Sequence, residues 1–246
     1  MAGDGPAARS RAARRGGGEG CRGEGCRGSG VRPRGNTLGD VPAPYLTITT
    51  PVEHETEARR SRFICALAPA RTVEQAAAFI AERRQKHPSA THNCTAYVIG
   101  ERVQKGDDDG EPGGTAGTPM VQALVGRGFS DVVAVVTRYF GGTLLGAGGL
   151  VRAYGSAVTE TLDRAEPVRM VPARLVRVAV AHDQAGRVEN DLRASRHLVR
   201  DVAYAGEVAF AVAVGADEVA AFTDWVAGLT AGRARVSVRE DLHVPE

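Results

Sequence analysis

The most informative stretch of the sequence, residues 132–154, reads VVAVVTRYFGGTLLGAGGLVRAY. An apolar run predicts a buried strand over residues 131–140, and the apolar spacing further on predicts a helix over residues 150–165. The loop between them, residues 141–149, contains five glycines. A strand that enters a helix through such a loop brings backbone N–H groups and the positive end of the helix close to a ligand.

This segment is a candidate site for an anion, a phosphate-bearing ligand or RNA. Arg138 and Arg152 flank the loop and can hold phosphate through paired hydrogen bonds, while Tyr139 and Tyr154 can stack on a base. The loop has neither the Gly-Lys-Ser/Thr of a P-loop nor the spacing of a dinucleotide fingerprint. The candidate residues are Arg138, Tyr139, Gly141, Gly142, Gly146, Gly148, Gly149, Arg152 and Tyr154.

A purely structural role also explains these glycines. Because glycine has no Cβ, it adopts positive φ readily and lets a helix pack closely on a strand. In that interpretation Tyr154 belongs to the hydrophobic core and is not a ligand contact. The sequence leaves both interpretations open.

A second loop is acidic and reads GDDDGEPGGTAGTP over residues 106–119. The offsets of its carboxylates do not fit a calcium-binding loop. Asp109 and Glu111 are candidate magnesium ligands, which would act together with a phosphate bound at the glycine loop. The alternative is a solvated turn followed by a helix over residues 118–126, with Thr118 as its N-cap.

The neighbouring sequence completes a first α+β domain over residues 45–167. A helix is predicted over residues 72–87, where Thr72 caps its start and Pro88 ends it. Alternating or continuous apolar residues predict further strands. These strands cover residues 45–49, 61–67 and 92–99.

Residues 168–246 have a different order of elements, strand-helix-strand-strand-helix-strand. This order predicts a ferredoxin-like βαββαβ domain. The predicted strands cover residues 173–181, 198–204, 208–214 and 234–240, and the predicted helices cover residues 184–194 and 216–229.

Residues 1–40 hold eight arginines and twelve glycines but few large apolar side chains. Residues 1–44 are therefore predicted to be a disordered Arg/Gly-rich extension. The rest of the chain carries 23 basic and 25 acidic residues, too balanced for a protein that coats nucleic acid through charge alone. Four scattered cysteines favour the reducing cytoplasm, and no apolar run approaches the roughly 20 residues of a membrane span.

The two loops together strongly resemble the YigZ/IMPACT family. The resemblance rests on DGEPGGTAGTPM at residues 109–120, VTRYFGG at residues 136–142 and LGAGGLVRAY at residues 145–154. It extends over residues 45–167 and 170–246, and residues 1–40 lie outside it. Gly113 stands where a serine is expected, which puts any hydroxyl role at that position in doubt.

The resemblance implies the architecture of both domains. The first would have the left-handed β-α-β fold found in a small-subunit ribosomal protein, in an elongation factor G domain and in small-metabolite kinases. The second would be ferredoxin-like, similar to the last domain of elongation factor G. The eukaryotic relatives are regulators of translation that act through a nutrient-sensing kinase pathway.

The leading hypothesis is a cytoplasmic, non-enzymatic protein that binds RNA or the ribosome and modulates translation, without a cofactor. One alternative is an enzyme that acts on a phosphorylated small molecule or nucleotide, with magnesium held by Asp109 and Glu111. Another is a protein-protein adaptor in which the glycine loop is only architecture. None of these sequence patterns indicates an oligomeric state.

Overall fold

The computed structural model describes residues 42–246. The predicted extension, residues 1–44, lies almost wholly outside the described residues. The described part is an α+β protein whose strands form two sheets. Its elements follow one another as β1 (Tyr45–Ile48), β2 (Val52–Ala58), β3 (Ser61–Pro69), α1 (Val73–Lys86), β4 (His92–Ile99), β5 (Val103–Asp107), α2 (Gly117–Gly126), β6 (Val132–Tyr139), α3 (Ala147–Leu162), β7 (Pro167–Val180), α4 (His182–Ala194), β8 (Leu198–Tyr204), β9 (Val208–Gly215), α5 (Val219–Thr230) and β10 (Arg235–Pro245).

The first sheet is antiparallel, with the strand order β2-β3-β6-β4-β5. The central strand β6 carries the apolar run of the sequence and is buried on both faces, which confirms the predicted strand. Its Val132 and Val136 side chains contribute to one core with α2 and α3, while Val133 packs on the opposite face with α1. Because both faces are covered, the strand is apolar at consecutive positions.

The predicted helices of the first domain are present, although α3 begins at Ala147 and ends at Leu162, three residues before the predicted bounds 150 and 165. Thr72 caps α1 as predicted, since its Oγ1 accepts a hydrogen bond from the N–H of Gln75 at 3.2 Å. Helix α3 buries Leu150, Tyr154 and Val158 along one face, at the spacing that predicted the helix. Within residues 42–246, no helix combines the length and the apolar character needed to cross a bilayer.

The second sheet confirms the ferredoxin-like prediction. Its strands lie in the order β8-β9-β7-β10, which places the first and last strands of the βαββαβ unit side by side. Helices α4 and α5 contribute Leu192, Phe222 and Val226 to a core with Phe210 of β9. This core is separate from that of the first domain.

Strand β1 was predicted as part of the first domain, but it does not join the first sheet. It pairs with β7, so that Tyr45 lies opposite Met170 and Ile48 lies opposite Pro167. The Ile48 side chain nevertheless packs in the core of the first domain. Strand β1 therefore links the two domains: its backbone is hydrogen-bonded to the second sheet, and its Ile48 side chain packs in the core of the first domain.

The two edge strands of the first sheet, β2 and β5, were not predicted from the sequence. In β2, exposed glutamates alternate with half-buried residues, and in β5 every residue is exposed. Edge strands contribute little to a core, so they carry few apolar residues and produce a weak pattern. As a result, the first two residues of the predicted acidic loop, Gly106 and Asp107, belong to strand β5.

Candidate functional site

The glycine loop is fixed to the first sheet at its start. The N–H of Gly141 donates a hydrogen bond to Ser61 Oγ at 3.2 Å. Its backbone also lies against Arg60, so a Cβ at position 141 would stand 1.9 Å from the carbonyl oxygen of Arg60. Gly141 is therefore required by close packing, as the structural interpretation predicted for these glycines.

The end of the loop is different. Gly146 precedes helix α3 with a φ of 73° and provides no side-chain cap. The first hydrogen bond of the helical type is donated by the N–H of Leu150 to the carbonyl oxygen of Gly146, at 2.9 Å. Among the described residues, no acceptor lies within hydrogen-bond reach of the N–H groups of Ala147, Gly148 and Gly149. The start of α3 thus presents free donors and the positive end of a helix.

Two arginines that the sequence analysis did not select lie beside this loop. Arg59 and Arg60 form the turn between β2 and β3, both are exposed, and both have positive φ. Arg59 Nη1 donates a hydrogen bond to the carbonyl oxygen of Leu144, at 3.2 Å. Their proximity could not be inferred because β2 was not predicted, and without β2 the residues do not form a hairpin turn.

The predicted residue Arg152 is exposed on α3, as are the loop residues Gly142, Gly146 and Gly148. Phe140 exposes 46% of its surface at the end of β6. We use the name glycine-loop surface for the set formed by Arg59, Arg60, Phe140, residues 141–149 and Arg152.

Arg138 does not belong to the glycine-loop surface. Its side chain is buried, and its Nη1 donates a hydrogen bond to Glu111 Oε1 at 2.6 Å. The Nη2 atom lies 3.4 Å from Ser61 Oγ, and the guanidinium lies over the ring of Phe63. The prediction that Arg138 binds phosphate is corrected, because its charge is buried and paired with a carboxylate.

Tyr154 is also corrected as a base-stacking residue. Its side chain is fully buried in the core, and its hydroxyl donates to Glu111 Oε1 at 2.7 Å. The Cys94 thiol donates to the same hydroxyl at 3.3 Å. Burial raises the pKa of the Cys94 thiol to about 12. Burial also raises the pKa of Tyr154 above its usual value, and the neighbouring Cys94 and Glu111 add to that shift. The Cys94 thiol and the Tyr154 phenol are therefore uncharged, and they surround the buried ion pair of Glu111 and Arg138.

Tyr139 is half-buried and already has polar partners. Its hydroxyl oxygen lies 3.0 Å from His87 Nδ1, and the guanidinium of Arg62 lies 5.5 Å from the centre of its ring. One face of the ring is therefore covered by an arginine of the same chain. Tyr139 is not included in the glycine-loop surface, because its ring is half-buried and its hydroxyl already contacts His87.

The acidic loop uses its carboxylates internally. Asp109 accepts from Arg84 at 3.1 Å and from the N–H of Asn93 at 2.7 Å, while Glu111 binds Arg138. Within residues 42–246, no three His, Cys, Asp or Glu side chains are grouped as a metal site would require. The proposed magnesium ligands are thus engaged with cations and amides, and magnesium binding by them gains no geometric support.

Asp108 takes the capping role that the sequence analysis assigned to Thr118. Its Oδ1 accepts from the N–H groups of Ala116 at 3.0 Å and Gly117 at 2.8 Å, and its Oδ2 accepts from Gly114 at 2.7 Å. Burial alone would raise the pKa of Asp108, but these three hydrogen bonds hold it below its usual value. Helix α2 therefore begins at Gly117, bound to a carboxylate of its own chain.

Comparison with known proteins separates the same two domains. The family model described as the Impact N-terminal domain matches residues 59–162, and the one described as Domain of unknown function (DUF1949) matches residues 178–233. The chain is 43% identical over 198 residues to the "IMPACT family member YvyE" of Bacillus subtilis (strain 168), a match that covers 80% of this chain and 91% of that protein. The chain belongs to the IMPACT family.

Other IMPACT family relatives cover the chain to different extents. The "IMPACT family member YigZ" of Escherichia coli (strain K12) is 37% identical over 201 residues, which is 80% of this chain and 98% of that protein. The "Protein IMPACT" of Rattus norvegicus is 36% identical over 95 residues, 36% of this chain and 29% of that protein. A solved structure described as "Crystal structure of an hypothetical protein" is 36% identical with a TM-score of 0.64 and covers 80% of this chain and 98% of its own, which supports the fold.

The Impact N-terminal match has a direct structural meaning. It begins at Arg59, in the hairpin turn, and ends at Leu162, the last residue of α3. It therefore includes the complete glycine-loop surface and the buried network beneath it. The glycine-loop surface lies wholly within the residues that match the Impact N-terminal domain.

Proposed function

We propose that this IMPACT family protein is a cytoplasmic, non-catalytic regulator of translation that binds RNA, free or within the ribosome, through its glycine-loop surface. The observation that carries the proposal is the start of α3, where three N–H groups have no acceptor among the described residues and follow a loop that the exposed Arg59 contacts at the Leu144 carbonyl. The link to translation rests on the resemblance to eukaryotic regulators.

The hydrogen-bond donors of this surface are of the kinds that bind phosphate groups. Backbone N–H groups at a helix start and arginine guanidiniums are the two kinds of donor that proteins most often direct at the phosphates of a nucleic acid. Arg59 and Arg60 lie at one side of the loop, and Arg152 lies four residues after Gly148, on the same face of α3. A phosphate at the loop could thus accept hydrogen bonds both from neutral backbone N–H groups and from an arginine guanidinium.

An exposed aromatic ring adds a contact for a base. Phe140 exposes 46% of its surface directly before the loop, although the Arg138 guanidinium lies 5.6 Å from the centre of its ring. Leu144 exposes 79% of its surface within the loop. Single-stranded RNA offers unstacked bases, which stack on aromatic side chains with little dependence on sequence. Because the chain outside residues 1–40 is nearly neutral, binding depends on these local contacts and weakens steeply with salt.

The proposal is tested by the affinity of the full chain for a labelled short single-stranded RNA, measured by fluorescence anisotropy over a salt series. Replacing Arg59, Arg60 and Arg152 by alanine is expected to weaken binding by about tenfold or more at low salt. The slope of log affinity against log salt should fall by about two, because each lost contact with single-stranded RNA contributes roughly 0.7.

A matched variant removes the same charge elsewhere. Arg164, Arg200 and Arg239 are also exposed, and none of them belongs to the glycine-loop surface. Their triple replacement by alanine should leave the affinity within about twofold of the parent, since the contact is local and not a general attraction. Equal losses in the two triple variants, or no binding by the parent at low salt, would refute the proposal.

The adaptor hypothesis is the competing explanation for this surface. It is favoured by Leu144, because a highly exposed leucine beside an exposed phenylalanine is a common feature of protein contacts. The two functions respond oppositely to salt: RNA binding loses affinity steeply, while an apolar protein contact changes little. A partner retained at high salt but lost in a Leu144→Ser variant would favour the adaptor.

A further inference from the structure

The second domain contains a groove that the proposed RNA contact does not use. It lies between the end of α4 and helix α5 and encloses about 470 Å³. A cavity of this size is within the range of ligand-binding sites in proteins. The side chains that determine its chemistry are Asp191, Arg196, His197, Glu218, Phe222 and Trp225.

Three rings form an aromatic cluster in the groove. The ring centres of His197 and Phe222 are 4.8 Å apart, and those of Phe222 and Trp225 are 5.8 Å apart. Phe222 is buried, whereas Trp225 exposes 39% of its surface. The face of an indole ring carries negative charge density and is the strongest aromatic binder of cations.

Two carboxylates of the groove can accept a cation that competes with the arginines of the chain itself. Of the described residues that line it, Asp191 and Glu218 are carboxylates and Arg196 is an arginine. Arg187 approaches Asp191 from outside the lining, but only to 3.8 Å. Burial lowers the pKa of His197, and the charge of Arg196 acts in the same direction, while Glu218, whose Oε2 lies 3.9 Å from His197 Nδ1, acts against them. The net lowering favours the neutral form of the ring.

Arg196 shows which cation fits. Its Nη2 lies 2.9 Å from Glu218 Oε1 at the rim of the groove, while 73% of its side chain remains exposed. An exposed ion pair of this kind contributes little to stability and exchanges readily with a competing cation. A guanidinium can bind a carboxylate through paired hydrogen bonds and stack on an aromatic ring, which an ammonium cannot do equally well.

We propose that this groove binds an arginine side chain of a partner polypeptide. The incoming guanidinium replaces Arg196 on the Glu218 carboxylate and lies against the Trp225 ring. The aliphatic stem of the side chain contacts the apolar wall formed by Ala221 and Leu229. Because the groove is open at its rim, the main chain that carries the arginine can remain outside while the side chain enters.

The chain contains its own reporter of binding. Trp225 is the single tryptophan of the 246 residues, so the intrinsic tryptophan fluorescence of the full protein reports on this groove alone. The probe is the capped tripeptide acetyl-Gly-Arg-Gly-amide, and its control is the same peptide with citrulline, which has the shape of arginine without the charge. We expect a saturable fluorescence change with the arginine peptide and at least about tenfold weaker binding of the citrulline peptide, a difference of about 1.4 kcal/mol.

Three variants are expected to change the affinity for the arginine peptide in three different ways. Glu218→Gln should weaken binding of the arginine peptide about tenfold, because it removes the charged acceptor. Arg196→Ala should strengthen it about two- to fivefold, because the internal competitor is lost. Glu189→Gln removes an acid of α4 that pairs with Arg193 and does not line the groove, and it should change nothing.

Several results would overturn the inference. These are equal affinities for the arginine and citrulline peptides, an unchanged affinity in Glu218→Gln, a weaker affinity in Arg196→Ala, or the absence of any saturable change in the parent. A thermal unfolding curve for each variant shows that it is folded. The outcome is independent of the RNA contact, since the variant that lacks Arg59, Arg60 and Arg152 should bind the arginine peptide as the parent does.

Discussion

Helices α2 and α3 both begin directly after a glycine-rich loop, but their first N–H groups have different partners. At α2, the Asp108 carboxylate accepts hydrogen bonds from Ala116 and Gly117. At α3, Gly146 provides no side-chain cap, and the described residues supply no acceptor for the N–H groups of Ala147, Gly148 and Gly149.

The difference shows that a glycine loop before a helix does not identify an anion site by itself. The chain supplies the anion for α2, so that helix start is a structural element. For α3, residues 42–246 supply only neutral backbone and exposed arginines, so that helix start is available to an anion from outside this part of the chain. The four predictions below test this contrast, in order of decreasing effect.

The largest effect is expected beneath the acidic loop, at the buried pair of Glu111 and Arg138. Both side chains are almost completely buried, so Glu111→Ala leaves an uncompensated guanidinium in the core. We expect the free energy of unfolding to fall by about 3–5 kcal/mol, measured by urea denaturation. The double variant Glu111→Leu, Arg138→Met should recover much of this loss. A loss near zero in the single variant would mean that the pair is not buried in solution.

The next effect concerns the carboxylate that caps α2. Asp108→Ala removes three backbone hydrogen bonds and should lower the free energy of unfolding by about 1–2 kcal/mol. Asp107→Ala is the matched control, because the neighbouring Asp107 accepts from the Asp109 N–H but does not reach the helix. If both variants lose the same stability, Asp108 has no special role at the start of α2.

The same carboxylate predicts a dependence on pH. Because the pKa of Asp108 is lower in the folded protein than in the unfolded chain, its stabilisation is complete above its usual value of 3.8. That contribution is lost as the pH falls through the folded pKa. The parent should therefore lose stability more steeply below about pH 4 than Asp108→Asn, in which the group does not titrate. Parallel acid-unfolding curves would contradict this expectation.

The smallest effect comes from giving α3 the anion that α2 already has. Ala147 is exposed at the first position of α3, so Ala147→Asp places a carboxylate beside the free N–H groups. We expect a gain of about 0.3–1 kcal/mol in stability from the helix dipole and a loss of about three- to tenfold in RNA affinity from charge repulsion. Ala147→Asn, of similar size without charge, should keep most of the affinity. Unchanged RNA binding in Ala147→Asp would place the contact elsewhere.

Much of the fold could be predicted because it depends on local patterns. The apolar run of β6 and the spacing of Leu150, Tyr154 and Val158 each identify an element from a few consecutive turns or pleats. The partner of β1 could not be predicted, since its four residues, Tyr45–Ile48, contain no information about which of two sheets they join. The edge strand β2 was missed, and with it the position of Arg59 and Arg60.

The candidate site divides in the same way. Its glycines and Arg152 were found because a glycine loop before a helix is a local signal. The role of Arg138 was misassigned, since the Glu111 that neutralises it lies 27 residues earlier in the chain. The groove at Trp225 could not be identified, because His197 and Phe222 come together only when α4 and α5 pack on the second sheet.

The amino-acid sequence by itself determined most of the segments that become strands and helices, apart from the edge strands β2 and β5. It also determined the ferredoxin-like order of the second domain and the existence of two glycine-rich helix starts. Only the tertiary structure decided which of these starts keeps its N–H groups free and which arginines reach solvent. The physical reason is that periodicity and capping act between residues a few positions apart. Burial and charge pairing depend instead on residues that meet only after the chain has folded.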